Sequence, residues 1–248
     1  EGDDSSCAAY MDCILGRGPK YVFKNAKLRK YFKEVSMHSY WSGADTKKNA
    51  ENYFSDKYSK YSVAATEYCQ MTDDKNTGVY DLIAKEKNGT NGTSIKYGVA
   101  MANTIVDDLT IMNANEWDWW TACSYGTYTD GLIYLDEDNH ENLDFSKRYY
   151  CLGNFSKFIK EGAVRVACSS GVKNVRSVAF VNEDNTVVTV YVNNNDKKAY
   201  TTIDCEGDYA VYTTDRDNDI AKTDFGKAKK VKVSLPASSV VTVVYEAK

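Results

Sequence analysis

A change of texture near residue 163 constrains the fold more than any other feature of the sequence. Before it, short apolar runs alternate with helical patterns. Residues 32–41, "FKEVSMHSYW", read as a strand entering a loop, and residues 47–58, "KKNAENYFSDKY", as a helix. "YSVAATEYC" (61–69) is the next strand. In residues 95–113 the apolar positions Val99, Ala102, Ile105, Val106 and Leu109 recur at helical spacing. "ANEWDWWTACS" (114–124) predicts another strand, and residues 144–162 another helix, with Gly162 as its C-cap. Strands alternating with helices predict a parallel α/β arrangement. After residue 163 only short alternating runs remain. "VRSVAFVNEDNTVVTVYVNN" is a hairpin about a polar turn, and "KAYTTID", "YAVYTTD", "KKVKVSLP" and "SVVTVVYEA" follow it. About six such strands predict a β-sandwich. The expected fold class is therefore α/β plus all-β, with residues 1–162 forming the first domain and 163–248 the second. Three strand–helix units fall short of a closed parallel barrel, which needs about eight. Either the first part is a small open sheet or further barrel strands precede residue 1.

Composition narrows the function. The chain has 248 residues and a net charge of −4, with both signs interspersed. That balance gives no basis for binding nucleic acid or an anionic membrane. No apolar run is long enough to span a bilayer. The first residues, "EGDDSSC", lack an initiating Met and read as a processed or truncated start. Tyr is abundant, at 20 residues; such rings serve β-rich packing, and aromatics beyond core needs also meet the C–H faces of sugars. The seven Cys, at 7, 13, 69, 123, 151, 168 and 205, form no CxxC pair, which argues against a zinc or thioredoxin-type site. Sequons at Asn88, Asn91 and Asn154 point to a secretory route and a secreted or extracellular protein.

The residues after each expected strand carry the chemistry. The first strand ends in His38-Ser39-Tyr40-Trp41, the second in Glu67-Tyr68-Cys69, and the third carries Trp117, Asp118, Trp119 and Trp120. In α/β barrels the carboxyl ends of the strands converge on the active site. A carboxylate, an imidazole, a phenol and several indoles gathered there would make a sugar site. Each group also has a structural use. Glu67 could cap a helix or pair with a Lys, His38 could be a hydrogen-bonded scaffold residue, the Trp cluster could fill a core, and Cys69 could be a small buried thiol. Asp107 and Asp108, adjacent on a helix, read as solvated or as partners of basic groups.

Three motifs, "SVAATEYCQM", "YGVAMANTIVDDLTIMNANEWDWWTACSYGTYTDGLIYLD" and "KRYYCLGNFSKFIKEGAVRV", occur in an order that resembles glycoside hydrolase family 30. The resemblance runs from about residue 30 to the C-terminus. It implies retaining β-glycosidases with a (β/α)8 TIM barrel and an attached β-sandwich. Here residues 1–162 would be the C-terminal portion of the barrel, about strands six to eight. By that resemblance Glu67 is the nucleophile, and His38, Tyr40 and Trp117 bind substrate, with Trp41, Tyr68 and Trp120 as neighbours. It also implies a β-linked polysaccharide or oligosaccharide as partner, β-1,6-galactan or β-1,6-glucan first and xylan second. No metal or organic cofactor is needed. The family's acid/base is a Glu in an Asn-Glu motif, and neither Asn115-Glu116 nor Asn182-Glu183 fits it. The expectation is that the acid/base lies in a missing N-terminal half of the barrel and that this chain alone is inactive. A non-catalytic carbohydrate-binding or scaffold piece is the alternative.

Overall fold

The computed structural model describes residues 30–70, 75, 93–125, 128–136, 138–139 and 141–246. Cys7, Cys13, Asn88 and Asn91 lie outside the described residues. The chain divides into two compact units. One takes the described residues up to 75 together with 107–121, and the other takes 93–106 with 122–246.

The first unit is a parallel sheet with helical connections. Its strands are β1 (Glu34–His38), β2 (Ser62–Glu67) and β3 (Glu116–Trp117), in the order β1-β2-β3. Helix α1 (Ala44–Tyr58) joins β1 to β2, and helix α2 (Ile95–Thr110) precedes β3. Ala50, Phe54 and Tyr58 recur along one face of α1 and pack on Val35, Met37, Val63 and Met112. Removing each of these larger side chains from water contributes roughly 1.5–3 kcal/mol, which is what seats the helix on the sheet. Gly43, extended and without a side chain to cap, gives its carbonyl to the Lys47 N–H and starts the helix. The β1–β2 ladder shifts register after Met37, so that His38 stands opposite Glu67.

In the second unit, β4 (Cys123–Tyr125) runs parallel to β5 (Ile133–Leu135), which pairs antiparallel with β6 (Leu143–Phe145). Helix α3 (Lys147–Ser156) follows. Its Arg148 is fully buried and donates to the Gly131 carbonyl and the Tyr134 hydroxyl at 2.8 and 2.6 Å. A Cβ on Gly98 of α2 would lie 2.6 Å from Cys151 Sγ and 3.1 Å from the Lys147 carbonyl oxygen, so only glycine permits this approach to α3.

Strands β7 (Val164–Val166), β8 (Val175–Val181), β9 (Thr186–Asn193), β10 (Ala199–Thr214), β11 (Ala221–Leu235) and β12 (Ser239–Glu246) form one antiparallel sheet, ordered β11-β10-β12-β9-β8-β7. Only residues 209–214 of β10 pair with β12. The far half of the β10–β11 hairpin folds over instead. Its Ile203, Cys205, Val231, Val233 and Leu235 share one core with Val175, Tyr191, Val241 and Val243. One sheet thus supplies both layers of a sandwich, and the fold class is α/β plus all-β, as expected.

Several elements differ from the sequence reading. The single strand expected over 114–124 is two: β3 meets β2 only at Ala64 and Ala65, and the chain then leaves for β4 in a different sheet. The helix expected over 144–162 begins after β6 and ends at Ser156; its C-cap is Lys157, and Gly162 (φ +79°) belongs to a later turn. "KAYTTID" and "YAVYTTD" are one strand, because Gly207 (φ +119°) absorbs a bulge between them. Asn154 is fully buried in α3, accepting from Thr214 Oγ1 at 2.9 Å, so its sequon is closed to glycosylation. No helix among the described residues is long and apolar enough to cross a membrane.

Candidate active site

All seven expected site residues fall in the first unit, at or just beyond the carboxyl ends of β1, β2 and β3. The register shift sets Glu67 and His38 side by side, with His38 Nδ1 3.6 Å from Glu67 Oε1. The Tyr40 hydroxyl donates to the same oxygen at 3.0 Å and lies 3.5 Å from Cys69 Sγ. The Glu67 side chain keeps 32% of its exposure, enough to reach a ligand, whereas that of His38 keeps 15%. Burial pushes the Tyr40 hydroxyl well above its ordinary pKa, with Cys69 and then Glu67 adding to the effect. Tyr40 is therefore a donor at every physiological pH.

Rings surround this group. Tyr40 lies 5.9 Å from His38, edge to face, 5.6 Å from Trp41 and 5.7 Å from Tyr68. Tyr68 in turn touches Trp117 at 6.0 Å and Trp119 at 5.8 Å. The exposed rings are Trp41 (44%) and Trp120 (55%). Trp41 adopts φ +53°, a left-handed backbone that a bulky residue holds only at a cost of about 1–3 kcal/mol. Tyr68 is completely buried, so its ring supports the site from behind and does not meet a ligand. The indole N–H of Trp117 is directed into the protein, donating to Asp108 Oδ2 at 2.9 Å. Cys69 is a buried thiol.

Of the two readings the sequence left for Asp108, solvated or partner of a basic group, the structure has the second: it is fully buried, ion-paired with the buried Lys47, and accepts from Ser39 Oγ at 2.7 and 2.8 Å. The signal was present. Lys47 precedes Ala50, Phe54 and Tyr58 on the apolar stripe of α1, and Asp108 follows Met101 and Ile105 on that of α2. A charge on an apolar stripe implies a buried partner.

Comparison with known proteins bears on both parts. The family described as O-Glycosyl hydrolase family 30 matches residues 11–134, and the Glycosyl hydrolase family 30 beta sandwich domain matches residues 162–243. A conserved exported protein from Bacteroides fragilis is similar in structure, with a TM-score of 0.76 and 23% identity over 95% of this chain and 50% of that one. An endoxylanase from Clostridium papyrosolvens gives 0.69 and 18% over 99% of this chain and 61% of its own. An endo-β1,6-glucanase gives 0.58 and 16% over 91% and 44%. At these identities the likeness is one of fold. The chain spans 50% and 61% of the first two structures.

Proposed function

The chain belongs to glycoside hydrolase family 30, and from that premise we propose that it carries the nucleophile half of a retaining β-glycosidase acting on a β-glycan. One observation carries this reading: a partly exposed carboxylate at a strand end, Glu67, held by the Tyr40 hydroxyl at 3.0 Å beside His38 within a group of rings. A hydrogen bond to one oxygen orients such a carboxylate for attack.

Glu67 attacks the anomeric carbon as the bond to the leaving oxygen breaks, giving a glycosyl-enzyme ester through an oxocarbenium-like transition state. Water then releases the sugar with its configuration retained. A second carboxylic acid, about 5–5.5 Å from Glu67, protonates the leaving oxygen and later deprotonates the water. We assign that acid to a part of the barrel outside these 248 residues, so that residues 1–162 are the C-terminal portion of the catalytic barrel and 163–248 its β-sandwich domain. Trp41 and Trp120 offer exposed ring faces to the sugar. His38 and Tyr40 aim Glu67, and Trp117 supports the platform. The preferred substrates are β-1,6-linked galactan or glucan, then xylan, and the working location is outside the cell.

The test is an assay of this chain, alone and assembled with the preceding half of the barrel, against β-1,6-glucan, β-1,6-galactan and xylan. The expected result is cleavage only in the assembly, with the first sugar product in the β configuration by NMR. Inversion, or undiminished cleavage by Glu67→Gln, would remove Glu67 from the mechanism.

A further inference from the structure

The buried ion pair behind the site belongs to neither the hydrophobic core nor the group around Glu67. We propose that Asp108 is a positioning residue: one buried carboxylate fixes both the Trp117 indole and the turn that carries His38 and Tyr40. The functional part of this inference rests on the glycosidase reading above.

Asp108, Ser39 and Lys47 are 0%, 0% and 1% exposed. A carboxylate this dry is costly unless its lone pairs are met. Three donors from three elements meet them. Lys47 Nζ, from α1, binds Oδ1. Ser39 Oγ, from the turn after β1, reaches both oxygens at 2.8 and 2.7 Å. Trp117 Nε1, from β3, reaches Oδ2 at 2.9 Å. Each non-ionic donor is one step from a site residue. Ser39 lies between His38 and Tyr40 in the chain, and the Trp117 ring packs at a tilt of 51° against Tyr68, the residue after Glu67. The carboxylate thus ties the strand end that presents His38 and Tyr40 to the one that presents Trp117.

A charge suits this task because hydrogen bonds to a carboxylate are shorter and stronger than those between neutral groups. Stability alone does not require it, since apolar residues of similar volume replace many buried ion pairs without loss. That difference separates positioning from mere packing.

The experiment uses the double variant Lys47→Met/Asp108→Leu, which removes both charges and the acceptor while keeping the branching pattern of each side chain, Leu being the larger. Trp117 indole N–H exchange is read by NMR on the 248-residue chain, and kinetics are read on the assembled enzyme. The expected result is a cooperative melt, accelerated indole exchange, and a fall in kcat/KM of about 10–100-fold, the scale on which small misplacements act. Ser39→Ala, which leaves the ion pair intact, gives a smaller fall in the same direction and stands in if the double variant does not fold. Unchanged kinetics in a folded double variant, or in Ser39→Ala, overturns the proposal. An inactive parent enzyme would count against the glycosidase reading alone. The exchange comparison still decides whether Asp108 holds the indole, and equal protection in parent and double variant overturns that as well.

Discussion

Tyr40 makes the contact on which the chemistry of Glu67 most depends, because its hydroxyl donates to Oε1, the same oxygen that faces His38. Tyr40→Phe removes that donor and little volume. A hydrogen bond to a charged group contributes about 1.5–3 kcal/mol, so the rate of ester formation at Glu67 is expected to fall about tenfold or more, measured by single-turnover kinetics. The same residue predicts a pH effect on stability. Burial, then Cys69, then Glu67 raise the Tyr40 pKa, so the folded protein holds this proton more tightly than the unfolded chain does. The associated stability is whole below about pH 10, the ordinary tyrosine value, and is lost as the pH climbs beyond it. Urea midpoints between about pH 9 and pH 11 should therefore fall less steeply for Tyr40→Phe than for the parent chain.

Among the elements, α2 is the most constrained, because Gly98 lets it approach α3 and Asp108 anchors its other end. Gly98→Ala places a Cβ against the Cys151 sulfur and a backbone carbonyl, and a forced shift of this kind costs about 1–3 kcal/mol. Leu235→Ala tests the folded-over hairpin separately. Leu235 is 0% exposed within the sandwich core, and its truncation is expected to cost about 2–5 kcal/mol by urea denaturation. Periodicity made β1, α1 and α2 legible in the sequence, because each buries one regular face, whereas β2 was legible as a short apolar run buried on both faces. Periodicity could not place the end of β3, which depends on where β2 offers a partner, nor the union of two apparent strands into β10, which depends on one glycine. At the site, motif order pointed to Glu67, His38 and Tyr40, all of which the fold brings together. The inward turn of the Trp117 indole was not legible, since it follows from the buried Asp108 carboxylate, and neither was the burial of Tyr68.

The molecule as a whole combines a parallel α/β unit with a sandwich folded from one sheet, and it spans 50% and 61% of two structures it resembles. Its central claim concerns a single carboxylate. The most direct test treats the assembled enzyme with a mechanism-based glycosidase label, an activated 2-deoxy-2-fluoro-β-glycoside, and maps the adduct by mass spectrometry. The account predicts one covalent sugar, bonded through an ester to Glu67 and absent from Glu67→Gln. A sugar bonded instead to Glu116, Asp118 or another carboxylate, with Glu67 unmodified, would contradict it.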